Sequence, residues 1–176
     1  MHAWFGLLAA ETLGSWSFHW TEDILAETLY HKRREYPDSS SAQIEAIRKR
    51  LMSVIPDNEI SNFPHGASVN YPDINDAHVH SAAIYIKIQY IVTNDRKGFV
   101  DIYDDPDDCP YEVYTADEFL MLAAESTPGA IDKVLHQQLN YYRDKGKPFN
   151  LVKRLKSAGC PDFSEYIRVR LQEVVF

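Results

Sequence analysis

Residues 89–99 read QYIVTNDRKGF and combine a continuous apolar run with an acid placed where that run stops. An uninterrupted apolar run predicts a strand that is buried on both faces, as in parallel sheets covered by helices. Asp95 follows the end of this strand. Because open α/β sheets bind their ligands outside the carboxyl ends of the strands, Asp95 is a candidate functional residue.

The sequence on the amino-terminal side of this strand predicts helices. Residues 21–36 begin with Thr21, a favourable N-cap, and carry acids in the first turn and bases in the last. Residues 39–55 repeat this form, since Ser40 and Gln43 have the spacing of a capping box. Two further helices are predicted over residues 2–13 and 76–87.

The sequence on the carboxyl-terminal side predicts one more strand and several helices. Residues 111–115, YEVYT, predict a short strand, and Thr115 and Glu118 then have the spacing of a capping box. Later helices are predicted after Pro128 and over residues 149–158 and 161–174. This order predicts an α/β domain over residues 1–125, with a helical extension over residues 126–176 packed on it.

The predicted sheet is incomplete. Two strands alone make a poor sheet. A strand that is apolar along its whole length also needs a neighbour on each side. The sequence therefore predicts that a central strand is missing from this chain.

Composition limits the classes of function. The chain has 176 residues and a net charge of −8, which argues against a protein that coats nucleic acid through its overall field. It has no apolar run near the ~18 residues that a membrane span needs. The apolar residues 1–14 lack the Lys or Arg of a signal peptide. Cys109 and Cys160 show neither CxxC spacing nor a framework of pairs, so we expect a cytoplasmic protein without a zinc site.

Three acids stand out by position. Glu27 lies mid-helix among apolar residues, Asp76 opens a helix, and Asp95 ends a strand. Three such carboxylates held ~5 Å apart would repel by about 3 kcal/mol per pair at an effective dielectric constant of 20, so they would need protons or a cation. Ligation by oxygen alone is the preference of Mg²⁺ or Mn²⁺. Each acid also has an ordinary explanation. Glu27 could form an ion pair with a Lys or Arg, Asp76 could interact favourably with the helix dipole, and Asp95 could form an Asx-turn.

Several stretches taken together resemble one family. They are TEDILAE at 21–27, PDINDAHVHSAA at 72–83, IVTNDRKGF at 91–99, YEVYTADEFL at 111–120 and LKSAGCPDF at 155–163. The combination of an acid opening an Ala-rich helix, a strand ending in Thr-x-Asp and a strand leading into a DEFL helix is similar to the PIN-domain family. Within that family it is most similar to the bacterial branch of VapC-type toxin ribonucleases.

The resemblance implies a three-layer fold, in which helices flank a parallel sheet, and a metal-dependent endoribonuclease that is often the toxin of a toxin–antitoxin pair. It assigns metal-site and catalytic roles to Glu27, Asp76 and Asp95, with Mg²⁺ or Mn²⁺ as the cofactor, and a supporting role to the Thr93 hydroxyl. It implies RNA and a cognate antitoxin protein as partners. The alternative is a catalytically weak or inactive PIN-like protein whose acidic pocket docks an Arg or Lys of a binding partner.

Two positions depart from the family pattern. The family carries an aspartate where this chain has Gly98, just before Phe99. The family also begins with a central strand that bears an aspartate ligand, and this chain starts after it. Three explanations are open: a shortened form of a longer product, a strand supplied by another chain, or a degenerate member. In each case we expect weaker metal binding, and either a homodimer formed through an open sheet edge or poor stability.

Overall fold

The computed structural model describes residues 16–54, 58–64, 71, 73–144, 146 and 149–173. Over these residues the protein is mixed α/β, mostly helical, with a small parallel sheet of two strands. The helix predicted over residues 2–13 lies outside the described residues. No helix in the described part of the chain has the length and apolar character needed to cross a membrane.

Two helices open the described structure, and both begin where the sequence predicts. Helix α1 (Glu22–Glu35) follows Thr21, whose Oγ1 accepts a hydrogen bond from the N–H of Ile24 at 3.1 Å. Helix α2 (Ser41–Val54) follows the predicted capping box. In that box the Ser40 N–H donates to Gln43 Oε1 at 2.7 Å, and the Gln43 N–H donates to Ser40 Oγ at 3.2 Å.

The two strands pair in parallel. Strand β1 (Tyr90–Val92) lies beside strand β2 (Glu112–Tyr114), with Ile91 opposite Val113. β1 is shorter than the predicted strand because the chain begins to turn at Thr93. The connection contains a short helix, α4 (Lys97–Val100), which the sequence did not predict, and a 3₁₀ turn.

Helix α3 (Ala77–Tyr85) precedes β1 and follows a 3₁₀ turn over Ile74–Asp76. A helix was predicted here over residues 76–87, and the middle of the observed helix is buried from His80 to Ala83. Its last turn differs, because Tyr85 is 52% exposed. There the chain leaves the core and turns back at Lys87, which has a φ of 56°, to enter β1.

The main core joins the carboxyl-terminal helices to the sheet. Helices α5 (Ala116–Ser126), α6 (Pro128–Asp144), α7 (Leu151–Ser157) and α8 (Pro161–Glu173) share one buried cluster, against which Val92 and Tyr114 pack. Residues on both sides of position 125 therefore contribute to a single core. A smaller cluster joins α3, β1, α4 and β2 around Ile91, Phe99 and Val113.

A buried carboxylate fixes α8 to α5. Asp117 is 8% exposed and accepts hydrogen bonds from the backbone N–H groups of Asp162, at 3.0 Å, and Phe163, at 2.8 Å. These N–H groups belong to the first turn of α8, where an α-helix has no carbonyl partners of its own. Asp117 thus caps a helix that begins more than forty residues later in the sequence.

Candidate metal centre

The turn after β1 is held by Thr93. Its N–H donates to the carbonyl of Tyr114 on β2 at 2.9 Å. Its Oγ1 accepts a hydrogen bond from the N–H of Asp95 at 3.1 Å. Thr93 therefore fixes the backbone that presents Asp95.

Asp95 uses one carboxylate oxygen locally. Its Oδ1 accepts a hydrogen bond from the N–H of Gly98 at 3.3 Å, in the first turn of α4. The turn explanation weighed from the sequence therefore accounts for one of its two oxygens. The other, Oδ2, is directed toward the start of α3, as the surroundings of Gly98 show.

Asp76 stands at the N-cap position of α3, yet its side chain makes no capping hydrogen bond. The neighbouring 3₁₀ turn is capped by another residue, Asp73, which accepts from the N–H of Asn75 at 2.8 Å. A capping hydrogen bond therefore does not explain why a carboxylate stands at position 76.

The carboxylates of Asp76 and Asp95 converge beside Gly98. A Cβ atom added to Gly98 would lie 3.0 Å from Asp95 Oδ2 and 3.3 Å from Asp76 Oδ2. Both oxygens therefore lie within 3.3 Å of the same point. The structure brings together these two predicted residues, although one stands at the start of α3 and the other follows β1.

The electrostatics of Asp76 agree with this convergence. Partial burial is the main cause that raises the pKa of the Asp76 carboxyl above its ordinary value. The negative charges of Asp73, Asp95 and Glu27 raise this pKa further, while His78 acts in the opposite direction. The ionised form of Asp76 is therefore disfavoured in the absence of a cation.

Glu27 is near the pair without joining it. Its side chain is 56% exposed, and its Oε1 lies 3.4 Å from His31 Nε2, one turn further along α1. Its charge reaches Asp76, as the pKa of Asp76 shows. Among the described residues, however, no three carboxylate, imidazole or thiol groups lie close enough together to hold one metal ion.

Gly98, one of the two positions that depart from the family pattern, lies beside both carboxylates. Sequence reasoning missed His80, which is 1% exposed and lies one turn after Asp76 on α3. Its Nδ1 lies 2.5 Å from the hydroxyl of Tyr111, just before β2. This contact ties the helix that carries Asp76 to the sheet. A buried histidine and a tyrosine thirty-one residues away give no local signal of such a pairing.

A cleft of about 980 Å³ is lined by β1 and by residues 16–19 and 21, and no residue of β2 is part of its lining. The carbonyl of Gln89 and the N–H of Thr93 are bonded to β2. Because backbone groups alternate along a strand, the N–H and C=O groups of Tyr90 and Val92 point toward the cleft. In the part of the chain that the structure describes, no strand pairs with this edge.

The donor atoms at the site suit a hard divalent cation. Two carboxylates with a small space between them offer the oxygen ligands that Mg²⁺ and Mn²⁺ prefer. Mg²⁺ keeps several water ligands and needs only one or two protein carboxylates. Asp76 and Asp95 therefore fit the ion that the sequence predicted, and Glu27 is not needed as a direct ligand.

Comparisons with known proteins add no family to this description. No protein-family model, curated protein or solved structure matches the chain.

Proposed function

We propose that this protein is a PIN-like, Mg²⁺- or Mn²⁺-dependent endoribonuclease that hydrolyses RNA phosphodiester bonds and is the toxin of a toxin–antitoxin pair. The observation that carries the proposal is the convergence of Asp76 and Asp95 around Gly98, just beyond the carboxyl end of a parallel strand. That edge of a sheet is where α/β proteins place their chemistry.

The residues of the site take distinct roles in this proposal. Asp76 and Asp95 hold the cation between α3 and the turn after β1, and Thr93 fixes that turn. Glu27 lies further out and adds negative charge. A bound Mg²⁺ or Mn²⁺ supplies activation of a water molecule and neutralisation of charge on the phosphate. Lys97 lies two residues after Asp95 and is exposed, so it offers positive charge to an RNA backbone beside the acids. Arg96 is also exposed, and its guanidinium is paired with Glu118 at 3.3 Å.

The proposed fold and partners follow the same family. In a PIN-like fold, helices flank a parallel sheet on both faces. A central strand of that sheet would occupy the cleft between residues 16–21 and β1. The proposed partners are RNA and a cognate antitoxin protein, and the proposed location is the cytoplasm. A homodimer formed through the free edge of β1 is part of the proposal, because such an edge offers unpaired backbone groups to another chain.

A second function has its own supporting observation. Only two of the predicted acids share the space beside Gly98, and no third group among the described residues completes a metal cluster. A protein of this kind could act by binding a partner, whose Arg or Lys would pair with Asp76 and Asp95. In that case the site needs negative charge but no metal.

The test is cleavage of a fluorescent RNA with Mn²⁺ or with EDTA. It compares the unmodified chain with the Asp76→Asn/Asp95→Asn variant. The matched control is Asp104→Asn/Asp108→Asn, which removes two exposed acids from the loop before β2. We expect Mn²⁺-dependent cleavage by the unmodified chain and the control, and its loss in the site variant. Cleavage that persists in the site variant or in EDTA would exclude this site as its source.

A further inference from the structure

His80 is a buried histidine whose ring is surrounded by tyrosines. It is 1% exposed and lies in the middle of α3. Its Nδ1 lies 2.5 Å from the hydroxyl of Tyr111, and its Nε2 lies 3.4 Å from the hydroxyl of Tyr103. The ring of Tyr71 packs edge-on against the imidazole, with 5.2 Å between the ring centroids. Both ring nitrogens therefore face a hydroxyl group, and the ring is closed off from water.

Residues 101–110, here called the acidic segment, connect α4 to the residue before β2. Five of these ten residues are aspartates, and none of the ten is buried. The segment contacts the rest of the fold through Tyr103, which reaches His80, and through Cys109, which packs against the small cluster around Ile91. Tyr111 follows the segment directly and also contacts His80. The acidic segment is therefore attached to α3 through the imidazole of His80.

We infer that His80 is an acid-sensitive switch: its neutral imidazole holds the acidic segment against α3 through Tyr103 and Tyr111, and protonation of the imidazole releases the segment. This inference concerns a conformational change of the fold. It does not depend on the metal site proposed for Asp76 and Asp95, so either can fail without the other.

The hydrogen bonds around His80 require a neutral imidazole. In a neutral ring one nitrogen donates and the other accepts, so one tyrosine hydroxyl accepts from the ring while the other donates to it. A protonated ring donates from both nitrogens, and the hydroxyl that had donated must then direct its hydrogen elsewhere. Within the described ranges, the hydroxyls of Tyr103 and Tyr111 have no hydrogen-bond partner besides His80. Protonation therefore leaves a buried hydroxyl without an acceptor, which costs free energy.

The charge of a protonated ring acts in the same direction. Burial lowers the pKa of the His80 imidazole below its ordinary value, and no charged group in the described part of the chain adds to this shift. The groups that face the ring from neighbouring segments are the phenols of Tyr71, Tyr103 and Tyr111, which carry no charge at neutral pH. Burial and the nearby Cys109 raise the pKa of Tyr103 and Tyr111 further. A protonated His80 would therefore have no counter-ion.

Acid should therefore weaken the attachment of the acidic segment. A histidine whose pKa is lower in the folded state contributes its full stability above the unfolded pKa of about 6.5, and this stability is lost as the pH falls toward the folded pKa. Asp76, on the same helix, has a raised pKa, so its protonation acts in the opposite direction. His19 also has a pKa lowered by desolvation, but it lines the cleft beside β1. A measurement made on the acidic segment therefore separates His80 from these two groups.

The first experiment measures hydrogen exchange over residues 101–111 by mass spectrometry at pH 7.5 and pH 5.5, corrected for the pH dependence of chemical exchange. The proteins are the unmodified chain, His80→Gln and His19→Gln. Glutamine carries a donor and an acceptor but does not titrate. We expect exchange in the unmodified chain and in His19→Gln to rise by up to roughly 10-fold at pH 5.5, one unit below the ordinary histidine pKa. We expect no such rise in His80→Gln.

The second experiment needs no variant at position 80. NMR follows the imidazole resonances of the unmodified protein as the pH is lowered, with the exposed His136 as an internal reference. We expect His80 to titrate at a lower pH than His136, because its ring is buried. We also expect exchange of the acidic segment to rise over the pH range in which His80 titrates.

Two results would overturn the inference. An equal rise in exchange in His80→Gln and in the unmodified chain would place the acid response at another group. Titration of His80 at or above the pH at which His136 titrates would show that the fold does not require a neutral ring. If His80→Gln does not fold, the unmodified chain decides alone: exchange of the acidic segment that stays constant while His80 titrates would contradict the switch, and exchange that rises with this titration would support it.

Discussion

Asp76 Oδ2 and Asp95 Oδ2 both lie within 3.3 Å of one point, the place that a Cβ atom of Gly98 would fill. Asp76 starts a helix and Asp95 ends the turn after a strand, so neither local structure brings the other acid near. Partial burial is the main cause that raises the pKa of Asp76, and the negative charges of Asp73 and Asp95 raise it further.

Replacing Asp76 by asparagine should stabilise the metal-free protein at neutral pH. The pKa of Asp76 is raised in the folded state, so its contribution to stability is fully present below its unfolded pKa of about 3.9 and is lost as the pH rises through the folded-state pKa. Because the group is only partly buried and solvent still screens its charge, we expect Asp76→Asn to gain less than about 1 kcal/mol at pH 7. Urea unfolding at pH 7 and pH 3.5 tests this, and a gain that is equal at both pH values would contradict it.

Mn²⁺ should stabilise the protein through the same two acids. A ligand at about 100 times its dissociation constant adds about 2.7 kcal/mol to the free energy of unfolding if it binds only the folded state. Thermal unfolding of the unmodified chain should therefore shift upward with Mn²⁺. The Asp76→Asn/Asp95→Asn variant should show no shift, and the Asp104→Asn/Asp108→Asn control should behave as the unmodified chain. Equal shifts in all three proteins would place the bound ion elsewhere.

Replacing Asp117 by alanine should loosen the carboxyl-terminal helices. Asp117 accepts two backbone hydrogen bonds at the start of α8, and hydrogen bonds to charged groups contribute about 1.5–3 kcal/mol. We expect Asp117→Ala to lower the free energy of unfolding by about 2 kcal/mol in urea titrations. Asp144→Ala is the control, since its side chain is 70% exposed and should change stability little. Similar losses in both variants would show that the cap contributes nothing specific.

Backbone amides along β1 should exchange their hydrogens unequally. The N–H of Thr93 is bonded to Tyr114, while the N–H groups of Tyr90 and Val92 point toward the cleft and have no partner among the described residues. Hydrogen exchange followed by NMR should therefore show protection at Thr93 and rapid exchange at Tyr90 and Val92. Strong protection at Tyr90 and Val92 would mean that another segment or a second copy of the chain already pairs with this edge.

The local features of this fold were readable from the sequence. Thr21, the Ser40–Gln43 box and the Thr115–Glu118 box all form as predicted, because a cap and its partner lie within three residues of each other. The parallel pairing of β1 also follows from its apolar run. The helix over Lys97–Val100 was missed, since four residues with a glycine among them carry too short a pattern to recognise.

The candidate site was only partly readable. Position in the sequence singled out Asp76 and Asp95, and the structure brings them together. The same reasoning gave Glu27 an equal role, but its side chain is exposed and lies beside His31. Whether a side chain on α1 comes close to Asp76 and Asp95 depends on how that helix packs against the rest of the fold. No pattern within the sequence of α1 encodes this packing.

The sequence by itself determined where the helices begin, which two stretches form strands, and which acids stand at the ends of these elements, because propensity, capping and periodicity act over a few neighbouring residues. The predicted burial of β1 on both faces was wrong, since only Ile91 of this strand is buried. Only the tertiary structure decided that Asp76 and Asp95 both lie beside Gly98, and that Asp117 caps a helix starting more than forty residues away. Such contacts depend on the packing of whole helices against the sheet, which sums many weak interactions between residues distant in the chain.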